Sequence, residues 1–265
     1  IDGGNGVDDQ FVMVSSEGEL LVYKGTDPAT AATWEMVGRY FIGRPIGGKS
    51  CLADFGGDLV YLCESGLYPL SKALQSAILT RSSALSDKIQ QQFADASRLY
   101  PNNTGWDIVV YPKQNALFVN VPYAQNQLSV QYVMNTLTGA WCRFINWNAF
   151  CFEIFKGELY FGGSTYVAKA WSLATQDFDG SIQANGKQAF NYFGNTSGTK
   201  YCRLIRPMLL ANGVFAYDIA VDADFETLTY LTDLPELTNA YGIWDTSQWD
   251  QANWAPDWAV SKEWR

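Results

Sequence analysis

The sequence predicts a mainly β protein of propeller-like architecture. Repeated antiparallel modules stack on one another, with a short helical insert and a small C-terminal β domain. Two observations carry this expectation. The passage Cys51-Leu52-Ala53-Asp54-Phe55-Gly56-Gly57-Asp58-Leu59-Val60-Tyr61-Leu62 returns one hundred positions later as Cys151-Phe152-Glu153-Ile154-Phe155-Lys156-Gly157-Glu158-Leu159-Tyr160-Phe161-Gly162. Cys51, Phe55, Gly57 and Leu59 recur as Cys151, Phe155, Gly157 and Leu159, and the acid Asp58 recurs as Glu158. Each copy reads as strand, tight turn, strand, because a glycine beside an acid between apolar runs supplies the positive φ of a hairpin turn. The second observation is that the copies extend upstream. Val12-Met13-Val14 and Leu20-Leu21-Val22-Tyr23 match Val109-Val110-Tyr111 and Leu117-Phe118-Val119, and Trp34 matches Trp141. A small sheet cannot bury its hydrophobic face alone, so repeated sheets must cover one another.

Taken in order, residues 1–70 form the first module. Gly25-Thr26-Asp27-Pro28 turns toward the Trp34 strand, and Gly43-Arg44-Pro45-Ile46-Gly47-Gly48 loops toward the hairpin at Gly57. Residues 71–100 change period and form the helical insert. Ser71 caps a short helix, and Ile89, Phe93 and Ala96 give a second helix one apolar stripe that ends before Pro101. That stripe packs either on the chain's own sheets or on a neighbouring subunit. Residues 101–175 form the second module, turning at Asn135-Thr136-Leu137-Thr138-Gly139. Residues 176–235 form the small β domain, with strands expected at Phe190-Asn191-Tyr192-Phe193, over 201–210 and over 215–221. The arm over 236–265 repeats Trp244-Asp245, Trp249-Asp250 and Trp254, followed by Trp258 and Trp264. A spacing of five fits neither helix nor strand. The indoles either anchor on the small β domain or dock on a neighbouring subunit, as tryptophans do at interface hot spots.

With 265 residues the chain has room for a sizeable core. Charged residues are only 17% and aromatics reach 15%, which points to surface buried against partners. A net charge of −9 opposes general affinity for nucleic acid, whose binders carry basic surfaces. No apolar run is long enough to span a membrane, so insertion is not expected. Ile1-Asp2-Gly3-Gly4-Asn5-Gly6-Val7 reads as the inside of a loop, so the chain is expected to be part of a longer one. Cys51, Cys63, Cys142, Cys151 and Cys202 form no Cys-x-x-Cys pair, and there is no histidine. Buried free thiols are therefore expected rather than a zinc site.

The lack of histidine also removes the usual general base, and no nucleophile elbow, dinucleotide fingerprint or phosphate loop is present. Neither a catalytic residue nor a cofactor is expected. Asp177-Phe178-Asp179-Gly180 imitates the start of a calcium loop, but Gln188 stands where the closing carboxylate belongs. Asp222, Asp224 and Glu226 read as a solvated strand end rather than a metal site. Asp54, Asp58, Glu64 and Glu153 have the residue type of a glycosidase pair, but they fall at turns or inside module strands.

Several passages resemble virion proteins of short-tailed bacteriophages, above all the propeller-bearing tail hub or nozzle protein. They are Leu21-Val22-Tyr23-Lys24-Gly25-Thr26-Asp27-Pro28 with Trp34, Ile42-Gly43-Arg44-Pro45, Gly57 to Leu62 with Gly66 to Leu74, Tyr132 to Phe144, Glu158 to Gly163, and the Trp-Asp arm. The resemblance implies a hexameric ring of identical subunits at the distal end of the tail, assembled in the bacterial cytoplasm. Such a ring continues the DNA channel from the adaptor and portal-side proteins, retains packaged DNA until ejection, and anchors tail fibres or spikes. An acidic channel wall lets phosphate slide past without sticking. Propellers of that family are longer than the two modules here, which leaves the blade number open. The rival readings are a receptor- or glycan-binding propeller displayed on the virion, and a depolymerase using paired acids.

Overall fold

The computed structural model describes residues 10–76, 83–171, 176–177, 180–182, 184–201 and 219–223. The chain divides into one compact unit over residues 1–183 and another over 184–265. The first is mainly β. Successive hairpins build four small antiparallel sheets in chain order, and a two-stranded ribbon follows. Sheet A holds β1 (Gln10–Val14), β2 (Glu19–Gly25) and β3 (Trp34–Phe41), and sheet B holds β4 (Leu52–Phe55), β5 (Asp58–Cys63) and β6 (Gly66–Pro69). Sheet C is wider, with β7 (Asp107–Tyr111), β8 (Ala116–Ala124), β9 (Leu128–Asn135) and β10 (Trp141–Phe144). Sheet D holds β11 (Cys151–Phe155), β12 (Glu158–Gly162) and β13 (Val167–Lys169), and β14 (Gln176–Asp177) pairs with β15 (Gly180–Ser181).

The repeated hairpins share one turn geometry. Gly56 and Gly57 have φ of 58° and 87°, and Lys156 and Gly157 have φ of 52° and 75°. The turns link Phe55 to its partner Asp58 and Phe155 to its partner Glu158. Two consecutive left-handed residues make the mirror-image turn whose twist matches that of the strands.

Register corrects the upstream matching. Trp34 pairs with Gly25 and Met36 with Tyr23, while Trp141 pairs with Met134 and Arg143 with Tyr132. Tyr23 therefore corresponds to Tyr132, and β2 corresponds to β9 rather than to β8. Phe11, opposite Tyr23, then corresponds to Val119, opposite Tyr132, so β1 corresponds to β8 and β7 is an added strand. The sequence pattern passes over β9 because Ser129 and Gln131 interrupt its apolar run. Both are buried, held by hydrogen bonds rather than by apolar contact.

Burial shows why the sheets stack. β8 is buried at every position from Ala116 to Pro122, so both faces of sheet C are covered. Leu117, Val119, Val121, Tyr132 and Met134 join one core with Leu20 and Val22 of sheet A and Val60, Tyr61 and Leu62 of sheet B. Ala116, Phe118 and Val133 face the other way, into a second core with Phe152, Leu159 and Phe161 of sheet D. β7 lies against both β4 and β11, so the first strands of sheets B, C and D are neighbours. Sheet A buries Leu20 and Val22 while Leu21 and Tyr23 stay half-buried, the alternation of a sheet covered on one side.

The helical insert packs on the chain's own sheets. α1 (Leu70–Ser76) starts one residue earlier than expected, and its cap is Asp58 rather than Ser71. The Asp58 carboxylate accepts from the Ser71 amide at 3.1 Å and from its hydroxyl at 2.6 Å. α2 (Gln90–Leu99) buries Phe93, Ala96 and Ser97, and Phe93 packs at a tilt on Trp106. The insert staples sheet B to sheet C. Ser86 Oγ accepts from the Leu67 amide and Gln90 Nε2 donates to the Ser65 carbonyl, while Lys88 donates to Gly139 O and Trp141 Nε1 donates to Leu85 O.

In the second unit, residues 184–201 are exposed and form neither helix nor strand. The strand expected at Phe190-Asn191-Tyr192-Phe193 is instead a turn. Asn191 Oδ1 accepts from the Phe193 amide and Asn195 Oδ1 from the Ser197 and Gly198 amides, local bonds that compete with a ladder. Most of the strands expected over 201–210 and 215–221 lie outside the described residues. So do Cys202, Trp244, Trp249, Trp254, Trp258 and Trp264.

Candidate functional site

The acids singled out by residue type are occupied or dispersed. Asp58 also accepts from the Leu59 amide, so its carboxylate is spent on the hairpin and on α1. Asp54 and Glu153 are exposed on β4 and β11, and Glu64 is exposed at the turn between β5 and β6. Glu158 pairs with Lys113 and Lys169, which hold its carboxyl below the usual range. Asp177 sits in β14, and Asp222 forms an ion pair with Lys187; Asp179, Asp224 and Glu226 lie outside the described residues. Among the described residues no group of His, Cys, Asp and Glu is placed to hold a metal ion.

The acid that matters to the architecture is Asp107, at the start of β7. Oδ2 accepts from the Phe152 amide of sheet D at 2.8 Å, and Oδ1 accepts from the Ile108 amide at 3.0 Å. The Ser50 side chain, in the 3-10 turn that enters sheet B, lies near enough to help lower its pKa. One carboxylate thus ties sheet C to sheet D at the row of first strands. Burial pushes its pKa up, against the hydrogen bonds that lower it.

Beside it lies a buried polar lock. Asn120 Nδ2 donates to the carbonyls of Gly105 and Ala149, and Gln131 Nε2 donates to Asn120 Oδ1 and to Trp147 O at 2.8 Å each. Ser129 Oγ donates to the same Trp147 carbonyl. These bonds hold the link from sheet C to sheet D under sheet C. Around it, Phe118 stacks on Trp147 and Phe152, and Trp147 stacks on Phe161 at 5.2 Å. Trp171 closes the cluster edge-on to Phe118 and Trp147.

The cysteines divide by position. All four described ones carry free thiols, but only Cys51 and Cys63 are buried, whereas Cys142 and Cys151 are exposed. Burial pushes the Cys51 and Cys63 thiols up, which keeps them protonated and inert. The expectation of buried thiols therefore fails for Cys142, which sits on the edge strand β10, and for Cys151, whose face nothing among the described residues covers.

The remaining feature is surface. Sheet A turns a row of apolar side chains outward: Phe11 is 52% exposed, Met13 40%, Met36 54% and Phe41 73%. Tyr23 stacks on Trp34 at 5.8 Å, and Phe11 tilts against the same indole. The Arg39–Glu19 ion pair crosses this face. Trp34 and Trp141 thus hold the same register but differ in surroundings, since the Trp141 indole bonds the insert while Trp34 lies on the bare face. No protein-family model matches the chain, and no curated protein matches it. Asp107, Asn120 and Gln131 went unremarked in the sequence; the available signal was a polar residue breaking an otherwise apolar strand.

Proposed function

We propose that this chain is a non-enzymatic wall element of a phage tail, a nozzle or hub subunit. In this reading it continues the DNA channel, helps retain and then release the genome, and anchors fibres or spikes. The observation that carries the reading is the disposition of polar chemistry. Asp58, Asp107, Asn120 and Ser129, with the Gln131 amide nitrogen, spend their hydrogen bonds on joining strands, sheets and links. The ordered succession of small antiparallel sheets supports the propeller-like form of the reading, and the resemblance in sequence supplies the phage assignment. The ring, its six-fold order and its adaptor, portal-side, fibre and spike neighbours belong to the same proposal, as do passage of duplex DNA and location in the virion tail. The net charge of −9 favours a bore through which phosphate passes without holding. Immunogold labelling of virions that carry the protein tests this: gold at the distal tail is expected, and gold on capsid faces or none at all overturns it.

A second reading draws on the Tyr23–Trp34 stack, since a flat, half-buried aromatic pair on an open face also suits a sugar ring. It makes the protein a receptor- or glycan-binding propeller displayed on the virion. Saturable binding on a glycan array, lost in Trp34→Ala, favours that reading over the first.

A further inference from the structure

Among the described residues one face of sheet A and one face of sheet D are left bare, and the two faces match. Call the face of each sheet that meets the preceding sheet its leading face, and the opposite one trailing. On sheet C the leading face carries Val119, Val121, Tyr132 and Trp141, in or against the core shared with sheet B. Register maps these onto Phe11, Met13, Tyr23 and Trp34 of sheet A. The bare side of sheet A is therefore the side that, on sheet C, a Cys–Gly hairpin sheet covers.

Sheet D is such a sheet. Its leading residues Phe152, Leu159 and Phe161 pack on sheet C. Its trailing residues Cys151, Glu153, Phe155 and Tyr160 correspond to Cys51, Ala53, Phe55 and Val60 of sheet B. On sheet B these residues pack in or against the core shared with sheet C, where Cys51 is 5% exposed and Val60 0%. On sheet D, Cys151 is exposed, Phe155 is 59% exposed and Val167 76%. The same hairpin is thus buried once and bare once, and the difference is the presence of a following leading face.

We infer that the trailing face of sheet D in one chain packs on the leading face of sheet A in a second copy, head to tail, continuing the contact that sheets B and C make within the chain. The contact is heterologous, so its repetition closes into a ring or runs on as a filament, according to the angle. Glu153 and Lys169 on one face, and the Arg39–Glu19 pair on the other, make it more polar than the internal contact, as befits subunits that also exist apart. It deepens the ring reading and rests on it only for closure; the pairwise contact is tested by itself.

The test is sedimentation and native mass of the whole chain, with Met36→Asp and Phe155→Asp as probes. Both side chains are exposed, so the monomer fold is retained and thermal melting checks it. The wild type is expected to associate with rising concentration, and each variant alone to weaken that association by about tenfold or more. Mixing the two variants restores a dimer that grows no further, because Met36→Asp keeps its sheet D face and Phe155→Asp keeps its sheet A face. A wild type that stays monomeric into the high micromolar range overturns the inference. So does association that Phe155→Asp leaves unchanged, which marks a face-to-like-face contact instead. Either result leaves the labelling of virions free to succeed, so loss of this interface and loss of the tail assignment are separable.

Discussion

Gly157 and Asp107 show two ways in which single residues set this structure. Gly157 holds φ of 75°, and a Cβ placed there meets nothing within 4 Å. Any cost of substitution is therefore conformational. Gly157→Ala is expected to lower stability by about 1–2 kcal/mol in denaturant unfolding, the penalty of a left-handed alanine. Asp107 is held by contacts instead. Asp107→Ala leaves the Phe152 amide without its acceptor and is expected to cost about 1–3 kcal/mol. The sign of its pH dependence follows from burial. A carboxyl whose folded pKa is raised keeps a proton that the unfolded chain releases. Its contribution is then greatest below the ordinary value of 3.8 and declines as pH rises through the folded value. Stability measured across that range in Asp107→Asn should lose this part of the slope; an unchanged slope would assign it to another group.

At the scale of elements, the insert is the piece whose role depends on its bonds rather than on its length. Trp141→Phe keeps a ring against the core and removes the donor to Leu85 O. It is expected to cost about 0.5–1.5 kcal/mol. Hydrogen exchange at the Leu85 amide, which donates to Leu67 O, should quicken as the staple loosens. Ser86 is fully buried, so Ser86→Ala, which orphans the Leu67 amide, should cost about 1–3 kcal/mol in the same denaturation assay. The elements also differ in how legible they were. The Gly57 and Gly157 hairpins could be read because glycine, acid and apolar alternation are local signals. The α2 stripe could be read from Ile89, Phe93 and Ala96, although its partner surface could not. Strand β9 was passed over because the Ser129 hydroxyl and the Gln131 amide nitrogen donate to the Trp147 carbonyl, a partner the sequence places far along the chain. Asp107 was overlooked for the same reason, since Phe152 and Ser50 come to it only through the fold. The Phe190 strand was misread because aromatic content outweighed the turn chemistry of Asn191 and Asn195.

At the scale of the whole molecule, one hairpin placed twice gives two outcomes. Cys51 is sealed and Cys151 is bare, although each is followed by Phe, Gly and Leu at the same spacings. What differs is the next sheet, and that is a property of the stack rather than of the hairpin. Among the described residues sheets B and C are covered on both faces, and the inferred contact between copies would give the bare faces of sheets A and D the same cover. The central claim is that the chain is a unit of a larger repeating wall. Negative-stain imaging of the purified protein, with its native mass measured across concentration on the same sample, tests that claim most directly. Masses at multiples of the 29.5 kDa chain, with arcs or rings around an open bore, are the expected result. A single monomeric mass at every concentration, with compact particles and no bore, would contradict it.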